Sequence, residues 1–296
     1  MPEAQQLFDR RRYRARREAT AARFSRHDVI HREAEARLLE RLDTVDRIFD
    51  TALILGAPTT QLGAHPRIKQ ALFADLAYGR LPAQASHASH ASHASVLDEE
   101  WLPIAPKSLA LIVSCLTLHH INDIPGTLIQ MRHALQDDGL LLVMQPGALS
   151  LWELRDAFSK AESAQGGLTP RIAPFTDVRD AGGLLQRADF SLPVIDSEVL
   201  TLSYATPFDL MAELRGLGET NILHERQHWP TRRQIFMDAA AIYQRDYSDA
   251  EGRISCTVEL QCLTAWTPHP SQQRPKERGS GEVHFSELFG DPMDHA

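Results

Sequence analysis

Apolar residues along this 296-residue chain alternate between two spacings. In residues 1–50, Val29, Ile30, Leu38, Leu39, Leu42, Val45, Ile48 and Phe49 recur at near-helical intervals among charges, which predicts helix. Short apolar runs then predict buried strands at 53–55, at 72–74 ending on Asp75, at 109–116 and at 140–144. The run 109–116 is almost continuously apolar and is the clearest of these. A helix is expected at 124–135, stopped by Asp138 and Gly139, and Pro146-Gly147 ends the strand after it. Beyond residue 150 the spacing predicts helices at 151–164, 177–188, 207–217 and 231–247, with strands at 194–202 and 254–266.

This alternation predicts an α/β fold with a doubly wound, mostly parallel sheet and helices on both faces. Three regions follow: an N-terminal helical arm (1–50), a main domain (51–267) and an extended tail (268–296) rich in Pro, Gln, Arg and Gly. Helices within about 205–248 form an insertion before the last strand, placed to cover a pocket. Residues 85–95 are built on Ala-Ser-His triplets and read as a surface-loop expansion. Metal binding by His87, His90 and His93 is the alternative.

Hydrophobic content of 43% and charged content of 24% are ordinary globular values. A net charge of −8 argues against general nucleic-acid binding. Against that balance, Arg10, Arg11, Arg12, Arg14, Arg16 and Arg17 form a basic run. It reads as the solvated face of a helix, or as a contact with an acidic partner or an anionic membrane surface. Three cysteines without close pairing point to a reducing compartment. No apolar run reaches a spanning length, and Met1 to Leu7 shows no apolar segment of a signal peptide. The expectation is a cytoplasmic protein, with the inner membrane face as its place of peripheral contact.

In an open α/β sheet, ligands bind at the carboxyl ends of the strands. Asp75 falls there and can accept hydrogen bonds from ribose hydroxyls. Asp98-Glu-Glu-Trp-Leu-Pro103 follows the third strand position. A carboxylate at Asp98 or Glu99 can receive an adenine amino group, and Trp101 offers a ring face. His119, His120, Asn122 and Asp123 crowd the end of the fourth strand as candidate catalytic groups, although Asp123 ahead of Pro125 also suits a helix cap. An iron facial triad needs two histidines and a carboxylate. The one His-x-acid sequence, His31-Arg-Glu33, lies in a predicted helix where positions two apart do not face each other. Spacing alone therefore marks no metal site.

The first strand opens into Gly56-Ala-Pro-Thr-Thr60, where a nucleotide-binding turn is expected. Gly56 is present, but Pro58 and Thr60 stand where glycines are expected and Ile54 where an acid is expected.

Taken together, these motifs resemble the methyltransferase-like assembly factors of respiratory complex I, the family of complex I assembly factor 5. The resemblance runs from Leu7-Phe-Asp-Arg10 to about Phe289. Its most specific stretches are Asp98–Pro103, 114–125, 166–176 and 210–221, with Gln273-Arg-Pro275 and Arg278-Gly-Ser280 in the tail. It implies a Rossmann-like class I methyltransferase fold acting on a protein partner, the quinone-site subunit of complex I. The implied chemistry is hydroxylation of an arginine. S-adenosylmethionine-dependent methylation and a non-catalytic chaperone role stay open beside it. Asp75 becomes the ribose-side acid and Asp98 the adenine-side acid. Ile54, Pro58 and Thr60 put binding of S-adenosylmethionine in question. Arg171, Glu213, Arg215, Glu219 and Asn221 are the substrate-side candidates, whereas Phe175, Leu210 and Met211 read as core.

Overall fold

The computed structural model describes residues 6–82 and 92–273. The tract through residue 91, with His87 and His90, and the tail motifs beyond residue 273 lie outside the described residues.

Seven strands form one sheet: β1 (Phe49–Leu55), β2 (Ile68–Asp75), β3 (Ser92–Val96), β4 (Leu109–Cys115), β5 (Leu135–Pro146), β6 (Ser191–Tyr204) and β7 (Ile254–Trp266), in the order β3-β2-β1-β4-β5-β7-β6. β7 runs antiparallel to both its neighbours; the other pairings are parallel. Every residue of β4 is buried, as a strand covered on both faces requires. In β1 the period of two sends Ala52 and Ile54 to one face and Leu53 and Leu55 to the other.

Those faces hold two cores. Ile54 packs with Leu38 and Leu42 from α2 (Val29–Thr44), and α4 (Trp152–Ser163) and α7 (Arg233–Tyr247) extend that side. On the opposite face, Leu128 and Met131 of α3 (Ile124–Ala134) and Leu185 of α5 (Val178–Arg187) cover Ile112 and Leu141. Each fully buried leucine or isoleucine contributes about 1.5–3 kcal/mol. The N-terminal region carries α1 (Arg10–Thr20) before α2, and α6 (Pro207–Leu217) precedes α7 between β6 and β7. No helix among the described residues is long and apolar enough to cross a membrane.

Several sequence expectations change. The helical pattern read through residue 50 stops at Thr44, and Phe49 already opens β1. The run 109–116 stops one residue early because Leu116 adopts φ +53°, which leaves the strand region. The next helix ends at Ala134, and β5 begins at once with Leu135. The last part of the Ala-Ser-His tract is an edge strand, with His93 paired to Leu72, rather than a loop. Its alternation of small and polar residues gives no strand signal; the exposed edge of β2 supplies the pairing.

Candidate functional site

Four loops meet at the carboxyl ends of β1, β2, β3 and β4, and α1 lies across them. Arg10, Tyr13 and Arg17 are spaced i, i+3 and i+7, so they share one face of α1. That face points inward. Arg17 is 2% exposed and grips Asp75 with two bonds, Nε to Oδ1 at 3.1 Å and Nη2 to Oδ2 at 2.5 Å. Ala77 N–H donates to the same carboxylate at 2.9 Å. Arg10 Nη2 reaches Asp98 Oδ1 at 2.6 Å and the buried Glu99 Oε2 at 2.5 Å. Bidentate arginine–carboxylate pairs fix geometry and satisfy the acceptor lone pairs. The acids placed for ribose and adenine are thus occupied by the chain's own arginines.

The basic run is therefore not one solvated face. Arg10 and Arg17 turn inward because buried carboxylates wait there, while Arg11 and Arg14 stay exposed. Arg17 was invisible to hydrophobic periodicity because a charged residue at a core-facing position reads as solvent-facing. The i, i+3, i+7 set around Tyr13 was the available signal.

The first turn also differs from a nucleotide cradle. Gly56 adopts φ +69°, and a Cβ there would lie 2.2 Å from Thr117 Cγ2 and 2.6 Å from the Cys115 carbonyl oxygen. Its missing side chain thus admits β4 and the loop after it. Ile54 is fully buried among apolar side chains, with no room for a solvated acid. Thr59 Oγ1 donates to Glu35 Oε2 at 2.7 Å, tying the turn to α2. Trp101 is 77% exposed and offers no ring face to this pocket; its backbone N–H closes a turn on Asp98 O at 3.0 Å.

The candidate catalytic residues divide. Asp123 caps α3, accepting from Gly126 N–H at 2.9 Å, as its place ahead of Pro125 suited. Asn122 pairs with the backbone of Phe8 through both amide atoms, at 2.8 and 3.2 Å, and so anchors the N-terminal segment. His119 and His120 remain together, on the short 3-10 turn Leu118–His120, with ring centroids 4.1 Å apart.

Glu219 joins them from beyond α6. Gly218, at φ +84°, ends that helix and turns the chain back. Glu219 Oε2 lies 3.4 Å from His119 Nε2 and 3.4 Å from His120 Nδ1. The other oxygen, Oε1, accepts from the Tyr13 hydroxyl at 3.2 Å, and Arg17 Nη1 stands 3.8 Å away. Burial drives the His120 pKa well below the usual imidazole range, reinforced by neighbouring His119. Burial alone would raise Glu219, but the two imidazoles and Arg17 outweigh it and hold the carboxyl well below its usual range.

The cluster borders a cavity of about 670 Å³ through His119 and two more beside Glu219. One of these two, of about 270 Å³, is lined by His120, Glu219, Arg171, Arg215, Asn221 and apolar side chains. The other, of about 100 Å³, is lined by His119, Glu219, Glu213 and His31. Phe175, read as core from sequence, borders all three. Of the substrate-side candidates, Arg171 is bound to Glu162, with Nε at 2.7 Å, and to Thr231. Glu213 accepts from the Tyr204 hydroxyl at 2.9 Å, and Asn221 donates to Pro170 O at 2.7 Å. These three are partly committed to structure. His31 and Glu33 form no pair; both His31 ring nitrogens lack a partner, and the ring meets Phe24 edge-on.

The strand order, the lone antiparallel strand and acids at the ends of β2 and after β3 define a protein of the class I S-adenosylmethionine-dependent methyltransferase fold. Solved structures agree at the level of fold. A methyltransferase-like protein of Bacillus halodurans superposes with TM-score 0.55 at 14% identity, covering 79% of this chain and 98% of its own. Phosphoethanolamine N-methyltransferase 2 of Haemonchus contortus, solved with S-adenosyl-L-methionine, gives 0.51 at 14%, covering 89% and 61%. No family model matches the chain.

Full-length relatives are more specific. Arginine-hydroxylase NDUFAF5 of Mus musculus is 33% identical over 99% of this chain and 88% of its own length; the Homo sapiens protein is 34% identical over 89% and 77%. The chain belongs to the arginine-hydroxylase NDUFAF5 family. A malonyl-[acyl-carrier protein] O-methyltransferase of Xylella fastidiosa is also similar, 34% identical over 88% of this chain and 89% of its own.

Proposed function

We propose that this protein hydroxylates an arginine of a protein substrate, the quinone-site subunit of respiratory complex I, during assembly of that complex. The observation that carries the reading is the closed methyl-donor pocket. Arg17 on Asp75 and Arg10 on Asp98 and Glu99 occupy the carboxylates placed for a nucleoside, in a chain whose relatives are named arginine-hydroxylases. S-adenosylmethionine does not fit the residues as they are arranged. Insertion of one oxygen atom from dioxygen into a C–H bond sends the other to water and consumes two electrons and two protons. The reaction therefore needs an organic two-electron donor and a centre that activates oxygen. Arg171, Arg215 and Asn221 line the cavity of about 270 Å³, where a peptide can enter beside Glu219. Exposed Arg11 and Arg14 supply the basic surface for contact with an anionic membrane or acidic partner.

Peptide mass spectrometry of complex I from cells with and without this gene tests the reading. One added oxygen on an arginine of the quinone-site subunit, lost on deletion, is the expected result. Failed assembly with unchanged mass would point to a chaperone, and normal assembly with unchanged mass would remove the complex I assignment.

A second reading, transfer of a methyl group from S-adenosylmethionine, is favoured by the Xylella fastidiosa relative and by the positions of Asp75 and Asp98. It requires α1 to withdraw both arginines. A lost methyl group in the same spectra would select it.

A further inference from the structure

His119, His120 and Glu219 come from loops about a hundred residues apart, yet one donor atom from each lies within 4.8 Å of the other two. Two of the separations, both from Glu219 Oε2, are 3.4 Å. An ion bound at about 2.1 Å in tetrahedral geometry sets its donors roughly 3.4 Å apart, and an octahedral one sets neighbours at about 3 Å. The two separations from Glu219 Oε2 already match the tetrahedral value, and the two histidine nitrogens lie within 4.8 Å of each other.

The 3.4 Å hydrogen bond between His119 Nε2 and Glu219 Oε2 accounts for only part of the arrangement. His120 Nδ1 is buried and finds no hydrogen-bond partner despite its 3.4 Å approach to the carboxylate. His119 Nδ1 is buried without a partner as well. Leaving a buried polar atom unmade costs stability, and such orphans call for a function. Glu219 is also supported as ligating carboxylates are: Tyr13 and Arg17 hold Oε1, which aims Oε2 at the two rings. Arg17 adds little repulsion for a cation because Asp75 already pairs with it. Cavities flank the cluster on two sides, so further coordination positions face open space.

We propose that His119, His120 and Glu219 bind one divalent first-row transition metal ion, in the two-histidine, one-carboxylate arrangement that suits ferrous iron. Its role as the oxygen-activating centre rests on the hydroxylase reading. Occupancy of the site does not.

The test uses the full-length protein with His87, His90 and His93 replaced by Ser, so that the Ala-Ser-His tract contributes no ligands. Cobalt(II) is titrated by visible absorption, and ferrous iron anaerobically by calorimetry. One equivalent should bind, with ligand-field bands that mark imidazole and carboxylate donors. His120→Ala and Glu219→Gln should each weaken binding more than about a hundredfold. Tyr13→Phe, which keeps the ring and loses the hydroxyl behind the carboxylate, should weaken it about tenfold. Tyr13→Phe also decides the matter if either ligand variant fails to fold. Substoichiometric uptake, or affinity unchanged in the variants, would overturn the site. Uptake with an unmodified arginine supports the site and overturns the hydroxylase reading. A modified arginine without uptake overturns the site and leaves that reading standing.

Discussion

Two polar regions sit at the same edge of the sheet and differ in one respect. Around Asp75, Asp98 and Glu99, the carboxylates are matched by guanidinium groups of the same chain. Around His119, His120 and Glu219, buried ring nitrogens go without hydrogen-bond partners and cavities adjoin them. In the first region the carboxylates are paired and, of their two arginines, only Arg10 Nε lacks a hydrogen-bond partner; in the second, His119 Nδ1 and His120 Nδ1 both lack one and cavities lie beside them. The acids the fold places for a nucleoside are thus held by arginines of the same chain, while His119, His120 and Glu219 gather a few residues away. Tyr13 and Arg17 connect the two, since the helix face that seals the first also supports Glu219 in the second.

The contrast breaks most sharply at Arg17. Arg17→Ala leaves Asp75 buried without a counter-charge, and denaturant titration should show a loss of about 3–5 kcal/mol. A loss below about 1 kcal/mol would mean that the pair does not hold α1 in place. Ile54→Asp, which restores the missing acid in name, buries a carboxylate among Leu38 and Leu42 and should cost at least about 3 kcal/mol in the same assay. Tolerance there, with gained nucleoside binding, would show that the turn can reopen. Gly56→Ala forces a Cβ against Thr117 and strains a left-handed residue, for a thermal-unfolding penalty of about 1–3 kcal/mol. Asp123→Ala should lower stability by about 1 kcal/mol through loss of the α3 cap. Trp101→Ala should change stability by less than about 0.5 kcal/mol, as an exposed ring outside the pocket implies.

How much of this was legible in the sequence depended on the kind of residue involved. Apolar runs located β4 and the body of β5, because strands covered on both faces must be continuously hydrophobic. They did not reveal β3, whose Ala, Ser and His residues take strand form only beside β2. Strand-end positions pointed to Asp75, Asp98, His119 and His120, and the family motif 210–221 held Glu219. Spacing could not show that Glu219 closes on the histidines, since Gly218 turns the chain across about a hundred residues of sequence. Asp123 ahead of Pro125 did suit a helix cap, and it is one; that Asn122 anchors the backbone of Phe8 could not be read from sequence until its partner was known. The arginine run misled for a related reason: Arg10 and Arg17 face inward only because Asp75, Asp98 and Glu99 are buried opposite them.

The most direct test of the closed pocket is a calorimetric titration of S-adenosylmethionine into the unmodified protein. Arginines already paired with Asp75, Asp98 and Glu99 predict no saturable binding below about 1 mM, a free energy weaker than about −4 kcal/mol. A dissociation constant near 1 μM, about −8 kcal/mol, would show that α1 yields to the donor and would contradict the account.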